Sequence, residues 1–172
     1  MRVVLFKCLV LLFLCQSPAF ASVLEQKFGQ VEHVLLLPEN LKLVGKMDTG
    51  AKTSSLDAID ITEFERNGET WVRFTVPLEN PRKGVVFERK LEGYTHIKRR
   101  KPLYLNIKKE APMKRPVVKI MLCIGNEKYE EKFNLANRSD FLYPVLIGRS
   151  TIAHFNGVVD PQEKFITHLN CE

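Results

Sequence analysis

Asp48-Thr49-Gly50-Ala51 is the run in this chain best suited to chemistry. It follows the extended stretch Leu41–Met47 and leads into Lys52-Thr53-Ser54-Ser55-Leu56. A strand that ends this way presents a carboxylate at the tip of a loop. Gly50 lets the backbone turn tightly and leaves room beside the acid, and the Thr49 hydroxyl can help to hold the loop. The second informative run is Tyr143-Pro144-Val145-Leu146-Ile147-Gly148-Arg149, which places Gly148 100 residues after Asp48. Val145, Leu146 and Ile147 read as an apolar strand, and Gly148 permits close backbone approach. Ser150-Thr151 are placed to cap a short helix running through Phe155. Each run alone is commonplace; their order and spacing are what join an acid-bearing turn to a buried strand.

With Arg115-Pro116-Val117-Val118-Lys119-Ile120 and Asn137-Arg138-Ser139-Asp140, these runs resemble the bacterial retropepsin-like aspartic peptidase family, whose members are often labelled ATP-dependent zinc proteases. The resemblance covers about residues 30–166. It implies a mainly β fold: a single-lobe acid-protease β-barrel with one short C-terminal helix. It also implies a catalytic turn of Asp48, Thr49 and Gly50, supported by Ala51 and by a strand of Leu146, Ile147, Gly148 and Arg149 passing beneath it. One family member is associated with trimming glutamate tails added to a ribosomal protein. The implied activity is hydrolysis of peptide or isopeptide bonds in acidic or glutamylated substrates. The chain departs from the pattern at Asp57, where family members commonly carry histidine, and this bears on substrate class.

The zinc and ATP in the family label have no support in the residues. A zincin needs two histidines one helical turn apart with an adjacent glutamate, and that motif is absent. His33, His96, His154 and His168 are scattered singly, without ligand spacing, and read as surface or packing residues. No glycine-rich loop is followed by Lys-Ser or Lys-Thr. The expectation is no metal and no cofactor.

Acid-protease chemistry uses two carboxylates that share a proton: one activates water and the other protonates the scissile carbonyl oxygen. The chain has one Asp-Thr-Gly frame. The second acid is therefore expected to be Asp48 of a symmetry-related copy in a homodimer. Asp57, Asp60 and Asp140 are the intrachain alternatives. The competing function is a binding module of a bacterial envelope system that keeps the lobe but performs no hydrolysis.

Residues 1–21 read as a secretory signal peptide: Arg2 and Lys7, the apolar run Leu9–Leu14, and the small-x-small site Ala19-Phe20-Ala21. The run is short for a bilayer span, and Leu14 before Cys15 disfavours lipidation, so no stable membrane anchor is expected. A periplasmic or secreted retropepsin-like domain of residues 22–172 follows. Cys123 and Cys171 remain in it, and both a disulfide and two free thiols stay open.

Asp57–Glu65 and Thr70–Pro77 read as a hairpin turning at Asn67-Gly68, and Pro116–Ile124 and Lys128–Leu135 as a second turning at Gly125-Asn126. The formal charge is +6. Arg82–Arg115 holds twelve Lys and Arg against three Glu, leaving the rest of the mature chain acidic. Its densest point, Lys98-Arg99-Arg100-Lys101, is either a solvated basic loop or a surface bordering the cleft that attracts an acidic peptide or polymer substrate. The export signal and the lack of a binding motif argue against nucleic acid.

Overall fold

A computed structural model describes residues 25–78, 83–97 and 113–171. The segment read as a signal peptide and Lys98-Arg99-Arg100-Lys101 lie outside the described residues. In chain order the elements are β1 (Gln26–Gly29), β2 (Val31–Leu37), β3 (Leu41–Asp48), β4 (Ser54–Asp57), β5 (Ile59–Arg66), β6 (Glu69–Pro77), β7 (Gly84–Ile97), β8 (Met113–Ile124), β9 (Glu127–Ala136), β10 (Val145–Gly148), α1 (Arg149–His154) and β11 (Gly157–Asp160).

Alternation of residue type decides which face of each strand is buried. Val72, Phe74 and Val76 on β6 point into the core, as do Phe133 and Leu135 on β9. Phe74 stacks on Phe87 of β7 with ring centroids 5.3 Å apart. The β5–β6 hairpin turns at Asn67-Gly68, whose φ angles of 54° and 75° are those an Asn-Gly turn supplies. The β8–β9 hairpin turns at Gly125, with φ 64°.

The strand order β2-β3-β10-β4-β9-β8, with β8 pairing back to β2, closes a six-stranded barrel. β8 is long enough to serve two neighbours on one edge: Met121–Cys123 pair with β2, and Met113–Val118 pair with β7. From β7 the sheet runs outward through β6 to β5. The expected fold class, a mainly β single-lobe barrel with one short C-terminal helix, describes this architecture.

β3 and β4 are consecutive but not paired; β10 lies between them, parallel to β3 and antiparallel to β4. Gly148 sits opposite Asp48 in the β3–β10 register. A Cβ on Gly148 would lie 2.6 Å from the Thr53 carbonyl carbon, so only glycine fits the unmoved backbone.

A C-terminal tail is fixed on β2, where the Phe165 N–H donates to the Val31 carbonyl at 2.8 Å. Glu32 on β2 is fully buried and accepts hydrogen bonds from the backbone N–H of Gly29, Ile166 and Thr167 and from the Thr167 hydroxyl. Those donors offset the desolvation of a buried carboxylate. Phe165 stacks on His33 with centroids 4.6 Å apart, and a disulfide joins Cys123 on β8 to Cys171.

Three local readings of the sequence are corrected. Asp57 ends β4 and Ala58 separates it from β5, where Asp60 adopts φ 53° beside a register shift; Asp57–Glu65 is not one strand. The helix starts at Arg149 with Gly148 as N-cap and no side-chain cap, so Ser150 and Thr151 lie inside it. The basic segment is not one loop, because β7 and the start of β8 occupy its described parts. Some of its charges are engaged there: Arg89 pairs with Glu39 at 2.7 Å, and Lys90 pairs with Glu69.

Gly148→Ala is expected to destabilise the protein by about 1–3 kcal/mol through overpacking, read as a lower urea midpoint; an unchanged midpoint would show that the Thr53 backbone yields freely. The Cys123–Cys171 bridge spans 48 residues. Cys171→Ser is therefore expected to lower unfolding free energy by up to about 4 kcal/mol; a loss below about 0.5 kcal/mol would mean that the tail contacts alone constrain the chain.

Candidate active site

The tight turn after β3 follows from Asp48 itself. Its Oδ1 accepts the backbone N–H of Gly50 at 3.0 Å and of Ala51 at 3.2 Å, while the Ala51 N–H also reaches the Asp48 carbonyl at 3.2 Å. One carboxylate oxygen is thus used to shape its own loop. Among the described residues none donates to Oδ2. The acid is half-buried and Thr49 and Gly50 are exposed, so the free oxygen sits where solvent or a second group can meet it.

The strand beneath the turn holds it in place. The Arg149 N–H donates to the Ala51 carbonyl at 2.9 Å, the Ser150 N–H to the Lys52 carbonyl at 3.3 Å, and Arg149 Nη1 to the Gly50 carbonyl at 3.1 Å. Leu146 and Ile147 lie opposite Lys46 and Met47 of β3, with Ile147 in the core. The structure therefore brings Asp48, Gly50 and Ala51 together with Gly148 and Arg149. Thr49 is the exception, since its exposed side chain makes no hydrogen bond among the described residues.

A buried polar chain continues below. The Gly148 N–H donates to Ser54 Oγ at 3.0 Å, Ser54 and Thr151 hydroxyls meet at 2.9 Å, and Thr151 donates to Glu131 Oε2 at 2.9 Å. Since the Thr151 proton is committed to Glu131, Ser54 donates to Thr151 and the bonds run one way. Glu131 Oε1 meets His154 Nδ1 at 2.5 Å, at the surface end of α1. Sequence reasoning missed Ser54 and Glu131 and gave Thr151 a capping role. The only trace of this chain is polar residues at otherwise apolar strand positions.

The flank of the site carries two arginines. Leu56, Phe133 and Leu135 take the core side of β4 and β9, which turns Ser55, Asp57, Asn134 and Ala136 to the other face. Asp57 is buried there, with Oδ1 accepting the Arg138 N–H at 2.7 Å, so it anchors the Asn137–Pro144 loop. Asp60 and Asp140 are exposed. Asn134 donates to the Ser54 carbonyl at 2.6 Å and accepts from Arg115 Nη1 at 3.2 Å. Arg138 is buried, with Nε donating to the Tyr143 carbonyl at 3.2 Å and the guanidinium 4.5 Å from the Phe141 ring centroid. Burial lowers the Arg138 guanidinium from its ordinary value; Asp57 opposes this most strongly, Arg115 adds to it, and Asp48 opposes it. Among the described residues no group of three or more His, Cys, Asp or Glu is placed to hold a metal ion.

Residues 27–169 match the RimB-like family, described as retropepsin-like aspartic endopeptidase RimB. The crystal structure of a protein of unknown function from Legionella pneumophila superposes with a TM-score of 0.69 at 40% identity, over 83% of this chain and 98% of that one. Proteins named probable alpha-L-glutamate ligase are 34% identical in Shewanella pealeana, over 70% of this chain, and 35% identical in Shewanella halifaxensis, also over 70%. The chain spans about a quarter of the length of these curated relatives, 25% in each case. The barrel, the Asp48 turn and the glycine strand beneath it thus agree with the match over residues 27–169: the chain belongs to the RimB-like family of retropepsin-like aspartic endopeptidases.

Proposed function

We propose that this chain is an exported aspartic peptidase that hydrolyses peptide or isopeptide bonds in glutamate-rich substrates, with Asp48 as one half of a carboxylate dyad. The observation that carries this reading is the division of labour on Asp48: Oδ1 is spent on the Gly50 and Ala51 N–H groups, and Oδ2 is left facing outward. A fixed, half-buried carboxylate with one free oxygen is what a general base for water requires.

The second carboxylate is Asp48 of a second copy. Asp57 is buried and anchors the Arg138 loop, which supports a second copy of Asp48 over this intrachain partner. At a two-fold axis the two free Oδ2 atoms face one another and share a proton. One carboxylate then removes a proton from the attacking water as it adds to the carbonyl carbon. The other donates its proton to the carbonyl oxygen, giving a tetrahedral diol, and proton return to the leaving nitrogen breaks the C–N bond.

The glutamyl preference draws on the family resemblance and on the relatives named as glutamate ligases. The Cys123–Cys171 bridge supports an oxidising compartment and hence export. One observation favours a second reading. The match spans only 25% of proteins named as ligases, so a domain of this kind also fits a non-catalytic module that binds glutamyl chains.

Asp48→Asn separates the two readings. Hydrolysis of a glutamyl peptide library by the mature protein is expected to fall by at least about a thousandfold, with an unchanged melting temperature; wild-type-like turnover in the Asn variant would remove Asp48 from the chemistry. If each site needs two copies, initial rate should rise with the square of protein concentration at low protein and become linear once dimers fill. Turnover that is linear throughout, with a monomeric mass by light scattering, would place the second acid within one chain.

A further inference from the structure

The arginines beside the site are left without use by the mechanism. Arg115 and Arg138 form no salt bridge among the described residues. Arg115 donates to Asn134 through Nη1 only, and its Nε is buried with no hydrogen-bond partner. Arg138 is only 6% exposed and uses Nε on the Tyr143 carbonyl. The Ser55 hydroxyl, on the same outer face of β4 and β9, is likewise buried and unpartnered. Buried donors without acceptors are destabilising in the free protein. Arg115 Nε and the Ser55 hydroxyl are two such groups beside the Asp48 turn.

Charge gives the same answer. Asp57 is the one buried carboxylate of this face, and its Oδ1 is already taken by the Arg138 backbone. Arg138 has both Asp57 and Asp48 opposing its burial, whereas no carboxylate pairs with Arg115 among the described residues. The cluster is tied to the Asp48 turn, because Asn134, which accepts from Arg115, donates to the Ser54 carbonyl and reaches Thr53 Oγ1 at 3.5 Å. From that geometry we infer that Arg115 and Arg138, with Ser55, bind a side-chain carboxylate of the substrate on the flank of Asp48. A guanidinium takes a carboxylate in bidentate fashion, so the group selected is a glutamyl side chain and its amide is rejected. Burial lowers the Arg115 guanidinium from its ordinary value, which fits a cation that has given up water without gaining a counter-ion.

This inference rests on the peptidase reading for its place in a reaction, yet binding tests it separately. The protein to use is the mature chain carrying Asp48→Asn, titrated calorimetrically with triglutamate and with triglutamine. Triglutamate is expected to bind about tenfold tighter or more. Adding Arg115→Gln should weaken triglutamate by about the same factor and leave triglutamine within about twofold, with the melting temperature as the folding control. Arg115→Lys, which keeps the charge but loses the fork, should fall between. Arg138 lies too deep to be the primary test, and Arg115 keeps the inference falsifiable if Arg138 variants do not fold. Equal affinity for the two peptides, no binding of either, or equal loss of both in Arg115→Gln would overturn it. Arg115-dependent triglutamate binding by a wild-type chain that cleaves nothing would keep this site and sink the peptidase. Cleavage indifferent to glutamate would do the reverse.

Discussion

Everything at the site depends on a backbone contact that admits no side chain: Gly148 of β10 against Thr53, between strands that would otherwise pair directly. β10 separates β3 from β4, and the five residues connecting them must form an open loop over its end. Asp48 sits at the start of that loop. The Arg149 and Ser150 N–H groups then bond the Ala51 and Lys52 carbonyls, so the loop inherits the position of the strand below it. The turn owes its shape to Asp48 and its position to a strand remote in sequence.

Polar groups beneath the turn are satisfied in a way that stiffens it. Ser54, Thr151 and Glu131 replace apolar contacts with hydrogen bonds that have a defined direction, and directional bonds specify one arrangement where apolar packing tolerates several. The same solution appears on β2, where Glu32 accepts four donors from β1 and the C-terminal tail. Both carboxylates are buried and both bond groups from distant parts of the chain. Beside the Asp48 turn, by contrast, Arg115 Nε and the Ser55 hydroxyl are buried with no hydrogen-bond partner.

Legibility in the sequence followed the range of the interaction. Asn67-Gly68, the alternation through Val72, Phe74 and Val76, and the Asp48 turn are dictated by neighbours within a few positions, and each was readable. The strand Val145–Gly148 was readable because its composition is uniformly apolar up to a glycine. The helix start was misplaced because Ser150 and Thr151 have capping side chains, yet Thr151 is drawn inward by Ser54, 97 residues away. Asp57 was open to a catalytic reading because its partner, the Arg138 N–H, is 81 residues distant. β7 was hidden by its charges: Arg89 and Lys90 look like loop residues until Glu39 and Glu69 are placed opposite them. Nothing local marks such pairs.

The order of the strands has a consequence for when the site comes into being. Asp48 belongs to the first third of the chain, whereas β10, which shapes its loop, lies 97 residues later at Val145. A polypeptide emerging from a ribosome presents β3 and β4 long before β10 exists. During that interval the Asp48 loop has nothing to lie on, and the β3 and β4 edges are free to pair with the wrong strand. Chains cut short before Gly148 would carry the acidic motif but not its geometry. The geometry of the Asp48 loop is therefore withheld until β10 has been delivered, a consequence of topology alone.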